Sequence, residues 1–366
     1  MAVAAHRGAG PDLCRSVHDL GRARPHIESA ATQAVGPAMT TFGFCAPIFA
    51  GSGGAHPRTP LLDRVDFDQL QATVQAAEAL GYDSVWVADH LILGREGFIL
   101  EGWTVMAALA RVTKRMRLGS IHYANLFRPP SLTAKMAATL DFISAGRLDF
   151  FFDPYAGQRA DSLAYGLADD GSAIPRFEEA LDLIKRMWSE DSPSYRGSYY
   201  AIENAVCLPR PVQRPSIPIW IGTSGNVTPE HRHRISEIMS RHADWWNITP
   251  ASLDTMREAL VALRDACAAN GRDYNSIRKS FETQILIADS ASDLDRWRQR
   301  IEAANPDYGD WDKLAERFLI GDVETVTHRL HDYAGLGVEC FMLWFMDYPS
   351  QNGLRLFAEK VMPSFR

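Results

Sequence analysis

The stretch MRLGSIHYANLFRPPSLTAKMAATLDFISAGRLDFFFD, residues Met116–Asp153, contains the unit that the rest of the chain repeats. Apolar runs at Met116–Tyr123 and Leu148–Phe152 are typical of strands that are buried on both faces. Between them, Pro129 favours a helix start because proline tolerates the first helical turn, and Gly146 favours a helix end. A strand, a covering helix and a second strand in the same direction make one right-handed βαβ unit.

The same alternation continues on both sides of this stretch. Further strands are predicted at Thr41–Phe49, Asp83–Ala88, Pro218–Gly222, Ala243–Ile248, Lys279–Ala288 and Val338–Phe345. Further helices are predicted at Phe67–Leu80, Trp103–Val112, Phe177–Trp188, His231–Arg241, Ser252–Ala268, Val323–Gly335 and Leu354–Val361. Eight strands that alternate with helices predict an α/β fold, a single (β/α)8 TIM barrel over residues 39–366, with an open doubly wound sheet as the alternative. Residues 191–218 interrupt the rhythm and predict an insertion with a small hairpin.

Composition limits the partners of the protein. The chain has 366 residues, 46% hydrophobic and 23% charged, with a net charge of −7. This balance lacks the basic footprint of a nucleic-acid-binding protein, and no apolar run is long enough to span a bilayer. The five cysteines are scattered without a CxxC pair. We interpret them mainly as core residues of a protein from a reducing compartment, and expect a cytoplasmic location.

Residues 1–38 differ in composition from the rest of the chain. They mix arginine, acidic residues, alanine and glycine without an apolar period. The segment lacks the apolar region of a secretory signal, and its acidic residues argue against a transit peptide. We predict a poorly ordered leader that precedes the barrel.

In a (β/α)8 barrel, functional groups lie at the carboxyl ends of the strands. Asp89 and His90 follow the second predicted strand, and His122 falls within the last residues of the third. His90 is the predicted acid or base, since histidine titrates near neutrality without a large shift, and Asp89 is expected to fix its tautomer. Thr223, Ser224 and Gly225 form a turn into a helix, which favours phosphate binding. Trp103, Trp246 and Trp344 are the predicted apolar walls of a substrate pocket.

Each of these assignments has a structural alternative. Asp89 and His90 could cap a helix, His122 could be a hydrogen-bonded core histidine, and the tryptophans could be packing residues. Glycine and serine turns are also common.

Several fragments, in this order and spacing, resemble the bacterial-luciferase-like flavin and deazaflavin oxidoreductases. They are WVADHL (Trp86–Leu91), EGWTVMAALARVT (Glu101–Thr113), RLGSIHYANLFRPPSLTAKMAATLDFISAGRL (Arg117–Leu148), PRPVQRPSIPIWIG (Pro209–Gly222), HADWWN (His242–Asn247) and LRLFAEKVMPSF (Leu354–Phe365). The resemblance implies a barrel with an insertion near the fifth strand and a bound FMN or coenzyme F420. It also implies a cis peptide at Ile121–His122, a histidine near the active site at His90, and an assembly that is often dimeric.

The implied cofactor contacts are spread over three loops. They are Ile121, His122, Asn125, Asp153, Tyr155, Arg159, Gly222, Thr223, Ser224 and Gly225. The chain departs from the family where a Gly-x-Gly turn usually comes after the fourth strand, because it has Asp149–Pro154 there. The loop after the fifth strand, TSGNVTPEHRHR, is also longer than usual.

These residues are compatible with three functional hypotheses. The first is a flavin-dependent monooxygenase of a small organic substrate, with reduced FMN from a separate reductase, because the chain has no Rossmann Gly-x-Gly-x-x-Gly unit for a nicotinamide cofactor. F420-dependent hydride transfer is its close variant. The second is a metal-dependent barrel hydrolase that uses Asp89, His90, His122, Asp153 and Asp347, although no HExxH spacing is present. The third is a non-catalytic flavin-binding relative.

The leader prediction can be tested by truncation. Because residues 1–38 add no patterned apolar face, a chain that starts at Met39 should keep the melting temperature and the cofactor affinity of the full chain. Calorimetry and a cofactor titration of both chains would measure this. A drop of several degrees on truncation would instead show that the leader packs on the barrel.

Overall fold

The eight predicted strands form a closed parallel barrel. The computed structural model describes residues 39–53, 56–154, 159–167, 171–224, 227–305 and 310–366, so the predicted leader lies outside the described residues. The strands are β1 (Thr41–Cys45), β2 (Ser84–Ala88), β3 (Arg117–Ile121), β4 (Leu148–Asp153), β5 (Ile219–Thr223), β6 (Trp245–Ile248), β7 (Arg278–Ala288) and β8 (Val338–Phe345). Each pairs in parallel with its neighbours in chain order, and β8 pairs with β1. Because β4 also pairs with β5, the ring is closed, which confirms the (β/α)8 barrel and excludes the open sheet.

Helices cover the outside of this ring, as a parallel sheet that is buried on both faces requires. They are α1 (Phe67–Leu80), α2 (Gly102–Val112), α3 (Pro130–Ile143), α4 (Arg159–Ala164), α5 (Ala173–Ser189), α6 (Pro229–His242), α7 (Leu253–Ala269), α8 (Ala291–Ala304), α9 (Trp311–Arg317), α10 (Val323–Gly335) and α11 (Asn352–Leu356). One π-helical turn (Phe357–Val361) and a 3₁₀ turn (Met362–Phe365) extend α11. Further 3₁₀ turns are Arg95–Gly97, Asn125–Phe127 and Tyr274–Ser276. No helix in the described ranges is long and apolar enough to cross a membrane.

Helix ends obey the local signals of the sequence. The Asp66 side chain accepts a hydrogen bond from the Gln69 N–H and caps the start of α1. Gly81 ends α1 in the left-handed region at φ 93°, where glycine meets no steric penalty. The observed bounds of α1, α10 and β8 coincide with the predicted ones.

Three segments are added to the eight-fold alternation of strands and helices, and only one of them was predicted. The hairpin Tyr195–Arg196 and Ala201–Ile202 confirms the expected insertion between α5 and β5. The segment between β7 and α10 was missed: it contains α8, α9 and the strand Leu319–Asp322, which pairs with the far end of β7. Helix α8 is hard to predict from the sequence because its apolar period is weak. In the structure, Ile301 is the buried residue of this helix.

The third addition, which was also missed, is a hairpin directly after β1. Its strands are Gly51–Gly53 and His56–Thr59, where the sequence showed only a glycine-rich loop. The Thr59 hydroxyl donates to the Phe49 carbonyl group at 3.4 Å and also bonds Gly51, which ties the hairpin to the end of β1.

Tryptophan packed against glycine fills the middle of the barrel. The Trp86 ring lies 4.9 Å from the Trp220 ring and 6.3 Å from the Phe151 ring, between centroids. A Cβ at Gly119 would lie 2.1 Å from Trp86 Cζ3, and a Cβ at Gly43 would lie 2.5 Å from Trp86 Nε1. The Trp86 indole occupies the volume that the two glycines leave free. The barrel is therefore filled at its centre, and we call the space on the mouth side of Trp86 the cup.

The cysteines fit the core interpretation where they are described. Cys45, Cys207, Cys267 and Cys340 are buried free thiols, whereas Cys14 lies outside the described residues. The four described cysteines are therefore core residues.

The glycine and tryptophan packing yields a stability prediction. Gly119→Ala would place a methyl group inside the Trp86 ring, so we expect overpacking to lower the free energy of unfolding by about 1–3 kcal/mol. Urea denaturation of the variant and the parent would measure this change. Gly335→Ala at the end of α10 is the matched control, because its Cβ meets no atom within 4 Å. Equal stability of both variants would mean that Trp86 can move aside at no cost.

Candidate active site

Five segments meet at the carboxyl end of the barrel. The loop after β2 carries Asp89 and His90, and His122 comes directly after β3. Residues on β7 and β8 line the opposite side of the closed ring. The hairpin after β1 brings Arg58 near both sides, because its guanidinium charge acts on His90 and on His122 and lies close to Glu282.

His122 lies where the resemblance put it. The Ile121–His122 peptide bond is cis, which confirms that expectation. The imidazole centroid is 4.3 Å from the Phe151 ring centroid, and Nδ1 is 3.5 Å from Asp153 Oδ2. Burial, with smaller contributions from His90 and Arg58, lowers the pKa of His122 to about 3. His122 is therefore neutral at physiological pH.

His90 is also a neutral imidazole. Burial, assisted by the nearby positive charge of Arg58, lowers the pKa of His90 to about 4. The expectation that His90 would titrate near neutrality is therefore wrong for this structure. The cause is the loss of hydration by the imidazolium form inside a closed cup that also contains a guanidinium group.

Asp89 has a positional role. Its carboxylate is 2% exposed and accepts hydrogen bonds from Arg128 Nη1 at 2.9 Å and Nη2 at 3.1 Å. It also accepts from the Ala124 N–H at 3.1 Å. These bonds hold the segment after β3 against the loop after β2. The pKa of Asp89 is nevertheless raised, because burial outweighs the pairing with Arg128. These contacts support an anchor for the His122 segment, and the predicted tautomer control of His90 stays a prediction.

One wall of the mouth, beside His122 and Gly222, carries polar atoms that the protein itself does not satisfy. A Cβ at Gly222 would lie 2.9 Å from the Phe151 ring and 3.5 Å from His122 Nε2, so glycine allows Phe151 and His122 to pack close to β5. Three buried polar atoms of this wall have no hydrogen-bond partner among the described residues. They are His122 Nε2, Thr223 Oγ1 and Asn125 Oδ1. Such atoms need a ligand or water to satisfy them.

The remaining predicted cofactor contacts are spread around this wall. Asn125 Nδ2 lies 3.4 Å from the Tyr200 hydroxyl of the insertion hairpin. Ser224 is exposed, and α6 begins nearby with Thr228 as its cap, which accepts from the His231 N–H at 3.2 Å. Tyr155 and Gly225 lie outside the described residues, and only the backbone of Arg159, in α4, is described.

The three predicted pocket tryptophans lie in three different places. Trp344 is in the mouth: its Nε1 donates to Glu282 Oε1 at 2.8 Å, and its ring is 5.7 Å from that of Phe49. Trp103 is the second residue of α2, stacks on Tyr123 at 3.9 Å between centroids, and lines an open cavity of about 740 Å³ beside α3.

Trp246 does not belong to the pocket, which corrects the prediction. Its neighbours on β6 face the barrel interior: Trp245 stacks on Trp220 at 4.1 Å, and Asn247 Nδ2 bonds Ser280 Oγ at 2.9 Å. Since side chains alternate along a strand, Trp246 faces the helical layer.

Sequence reasoning missed Arg58, Glu282 and Gln284. Arg58 Nη2 lies 3.7 Å from Glu282 Oε1, and its guanidinium carbon is 5.5 Å from the Trp344 ring centroid. Glu282 and Gln284 are both 0% exposed on β7. A visible signal existed: polar residues at every second position of a predicted buried strand, starting at Ser280, indicate one polar interior face.

Two of the metal ligands that the hydrolase hypothesis requires, Asp89 and Asp347, are bound to other groups of the protein. Asp89 is held by Arg128, and Asp347 Oδ2 accepts from the Gly353 N–H at 2.9 Å. Burial raises the pKa of Asp347 to about 6. Within the described ranges, no three His, Cys, Asp or Glu side chains form a group that could hold a metal ion.

Solved structures share this barrel. A monooxygenase, RslO1, from Streptomyces bottropensis is 23% identical, with a TM-score of 0.72 that covers 89% of this chain and 100% of that one. An F420-dependent secondary alcohol dehydrogenase in complex with an F420-acetone adduct is 16% identical, with a TM-score of 0.73 over 90% of this chain and 99% of that one. At these identities, the likeness shows the fold.

Sequence comparison is more specific. An F420-dependent glucose-6-phosphate dehydrogenase from Amycolatopsis mediterranei (strain U-32) is 29% identical over 79% of this chain and 92% of its own length. The protein of the same name from Microbacterium testaceum (strain StLB037) is 25% identical over 79% of this chain and 91% of its own length. The family profile described as luciferase-like monooxygenase matches residues 40–340. This match spans most of the barrel, and the chain therefore belongs to the luciferase-like monooxygenase family of flavin- and F420-dependent oxidoreductases.

Proposed function

We propose that this protein transfers a hydride between coenzyme F420 and a small hydroxylated substrate or its carbonyl product. The observation that carries the proposal is the pair of neutral, partly buried histidines, His90 and His122, beside Arg58 in the barrel mouth. Oxidation of an alcohol needs a neutral base for the hydroxyl proton, and an imidazole with a lowered pKa is in that form at neutral pH. The names of the two sequence relatives support F420 as the cofactor.

The residues of the chain would divide the work between cofactor binding, proton transfer and the exclusion of water. The wall formed by Ile121, His122, Gly222 and Thr223 would hold the cofactor, because it carries buried polar atoms that lack partners among the described residues. When bound, the deazaflavin supplies a carbon that accepts or gives up a hydride. His90 would accept the substrate hydroxyl proton, and Arg58 would stabilise negative charge on the substrate oxygen. The plug of Trp86, Phe151 and Trp220 keeps water out from below.

A monooxygenase that uses reduced FMN is the second candidate. The aromatic enclosure around the mouth favours it, because oxygen chemistry on a reduced flavin needs a water-poor site. In this case a separate flavin reductase would be the partner, since the chain carries no nicotinamide-binding glycine motif. A homodimer and a cytoplasmic location stay proposals in both cases.

Cofactor choice can be measured directly. Titration of the full chain with oxidised F420 and, separately, with FMN should give tighter binding of F420, and its visible absorbance should then be lost when a hydroxylated substrate is added. Binding of FMN alone, with oxygen consumed only when a reductase is present, would favour the second candidate and rule out the first.

His90 is expected to act on turnover rather than on binding. His90→Gln should lower kcat by roughly 10²–10⁴-fold, the usual contribution of a positioned base, and leave F420 affinity nearly unchanged. His242→Gln is the matched control, because burial also lowers the pKa of His242 to about 3, but this histidine bonds Lys185 on α5. Turnover of His90→Gln within a few-fold of the parent would remove His90 from the mechanism.

The same base sets a pH profile. A base with a folded-state pKa of about 4 is neutral above that pH and becomes protonated below it. The acid limb of kcat/KM should therefore fall near pH 4, and activity should decrease as the pH drops through this value. If activity instead falls near pH 6.5, His90 has the pKa of a water-exposed imidazole when it acts as the base.

Thr223 is expected to contact the phosphate arm. Thr223→Val keeps the shape of the side chain but removes the Oγ1 donor, so cofactor affinity should fall by about 1.5–3 kcal/mol for a bond to a charged group. Riboflavin and the corresponding form of F420 without its phosphate arm should bind to Thr223→Val about as tightly as to the parent. If their affinity falls equally, Thr223 acts on the fold instead.

A further inference from the structure

The strand β7 presents an unusual polar surface to the barrel mouth. Glu282 and Gln284 are two residues apart on one strand, so both side chains face the same side. Glu282 Oε1 accepts from Trp344 Nε1, a mouth residue, which identifies that side as the interior. Asn247 on β6 adds its amide, which contacts Ser280 at 2.9 Å. We call Asn247, Glu282 and Gln284 the acceptor wall.

The acceptor wall has unused hydrogen-bonding capacity. Glu282 Oε2, Asn247 Oδ1 and both amide atoms of Gln284 have no partner within the described part of the chain. All three residues are 0% exposed. A buried polar atom without a partner costs free energy, and a carboxylate oxygen costs more than an amide. Three of these four atoms are acceptors, so the wall complements a ligand that presents hydroxyl donors.

Glu282 and Gln284 of the acceptor wall lie on β7, opposite β3 in the eight-stranded ring, whereas Asn247 on β6 pairs with Gly222 on β5. In the closed ring, β3, β4 and β5 are consecutive, and β7, β8 and β1 are consecutive on the other side. Arg58 reaches both sides, since its charge lowers the pKa of His122 and lies 3.7 Å from Glu282. A substrate that is held between cofactor and β7 would therefore place its polar groups against the acceptor wall.

The charge on this wall determines which substrates it tolerates. Glu282 brings a negative charge into a water-poor cup, and Arg58 offsets it from one side. A hydroxyl group can donate to Glu282 Oε2, whereas a phosphate group offers mainly acceptor oxygens and a second negative charge. Like charges in a desolvated site repel strongly. Glu282 would therefore disfavour a phosphorylated ligand and favour one that donates a hydroxyl group.

We propose that the acceptor wall binds the hydroxyl groups of a neutral, polyhydroxylated substrate, and that Glu282 selects it over its phosphorylated form. The catalytic part rests on the proposed function, but the binding preference arises from the wall itself. The chain would thus differ in substrate from a sugar-phosphate dehydrogenase, although two relatives carry that name.

Calorimetric titration can test this preference without turnover. The probes are glucose, glucose 6-phosphate and permethylated glucose, which keeps the ring but has lost its donors, each added to the full chain with and without F420. We expect glucose to bind more tightly than either of the other two. Glu282→Gln should weaken glucose binding by roughly 10- to 100-fold, because it replaces a charged acceptor by a neutral amide. The same variant should strengthen glucose 6-phosphate binding, because the charge of Arg58 is no longer offset.

The matched control is Glu339→Gln. Glu339 also pairs with an arginine, Arg278 at 2.9 Å, but near the opposite end of β8, and this variant should leave all three affinities unchanged. Melting temperature and F420 affinity of Glu282→Gln should stay close to those of the parent. Gln284→Leu should weaken glucose binding without improving the phosphate form.

Several results would overturn the proposal. They are glucose 6-phosphate binding as tightly as glucose, permethylated glucose binding as tightly as glucose, no measurable binding of glucose, or unchanged affinities in Glu282→Gln. Failure of F420 to bind, with the glucose preference intact in the cofactor-free titration, would instead count against the proposed function alone.

Discussion

The exclusion of water from the barrel centre is the constraint on which the site depends. Trp86, which fills the volume left by Gly43 and Gly119, closes the barrel below the histidines. This central tryptophan blocks the channel that the ring of strands would otherwise enclose. Inside this cup charged groups lose hydration, so the imidazoles of His90 and His122 are held neutral. The same desolvation makes the orientation of each polar side chain consequential, because unpaired polar atoms have no solvent to satisfy them.

Segments outside the barrel strands supply much of the charge at the mouth. Arg58 comes from the hairpin after β1, and Arg128 comes from the turn before α3, where it holds Asp89. Their roles differ. The Arg128 pair is nearly buried and bidentate, so it anchors one loop to another. The Arg58 contact is longer, at 3.7 Å, and places a positive charge between the two histidines and Glu282. In the proposed function, one wall of this mouth would hold the cofactor and another would accept hydrogen bonds from substrate hydroxyl groups.

The elements of the fold were predictable because their signals are local. The helix from Phe67 to Leu80 is bounded by an aspartate cap and a glycine stop, both visible in the sequence. The weakly patterned α8 lacks such signals, since little of it is buried, and it was missed. Trp246 was misplaced for another reason: a one-residue shift along a strand moves a side chain to the other face, and the sequence WW offers no sign of which ring is inside.

The sequence by itself determined the type and order of the eight barrel strands and of most helices, and the edge where the site lies, whereas the pairing of β4 with β5 decided that the sheet closes. These depend on period, caps and turn residues within a few positions of one another. The tertiary structure alone decided that Arg58, His122 and Glu282 share one mouth. These residues are far apart along the chain, and only the register of the strands and the path of a hairpin bring their side chains together. It also decided the protonation of the histidines, because a pKa reflects hydration and neighbouring charge, which exist only once the cup has closed.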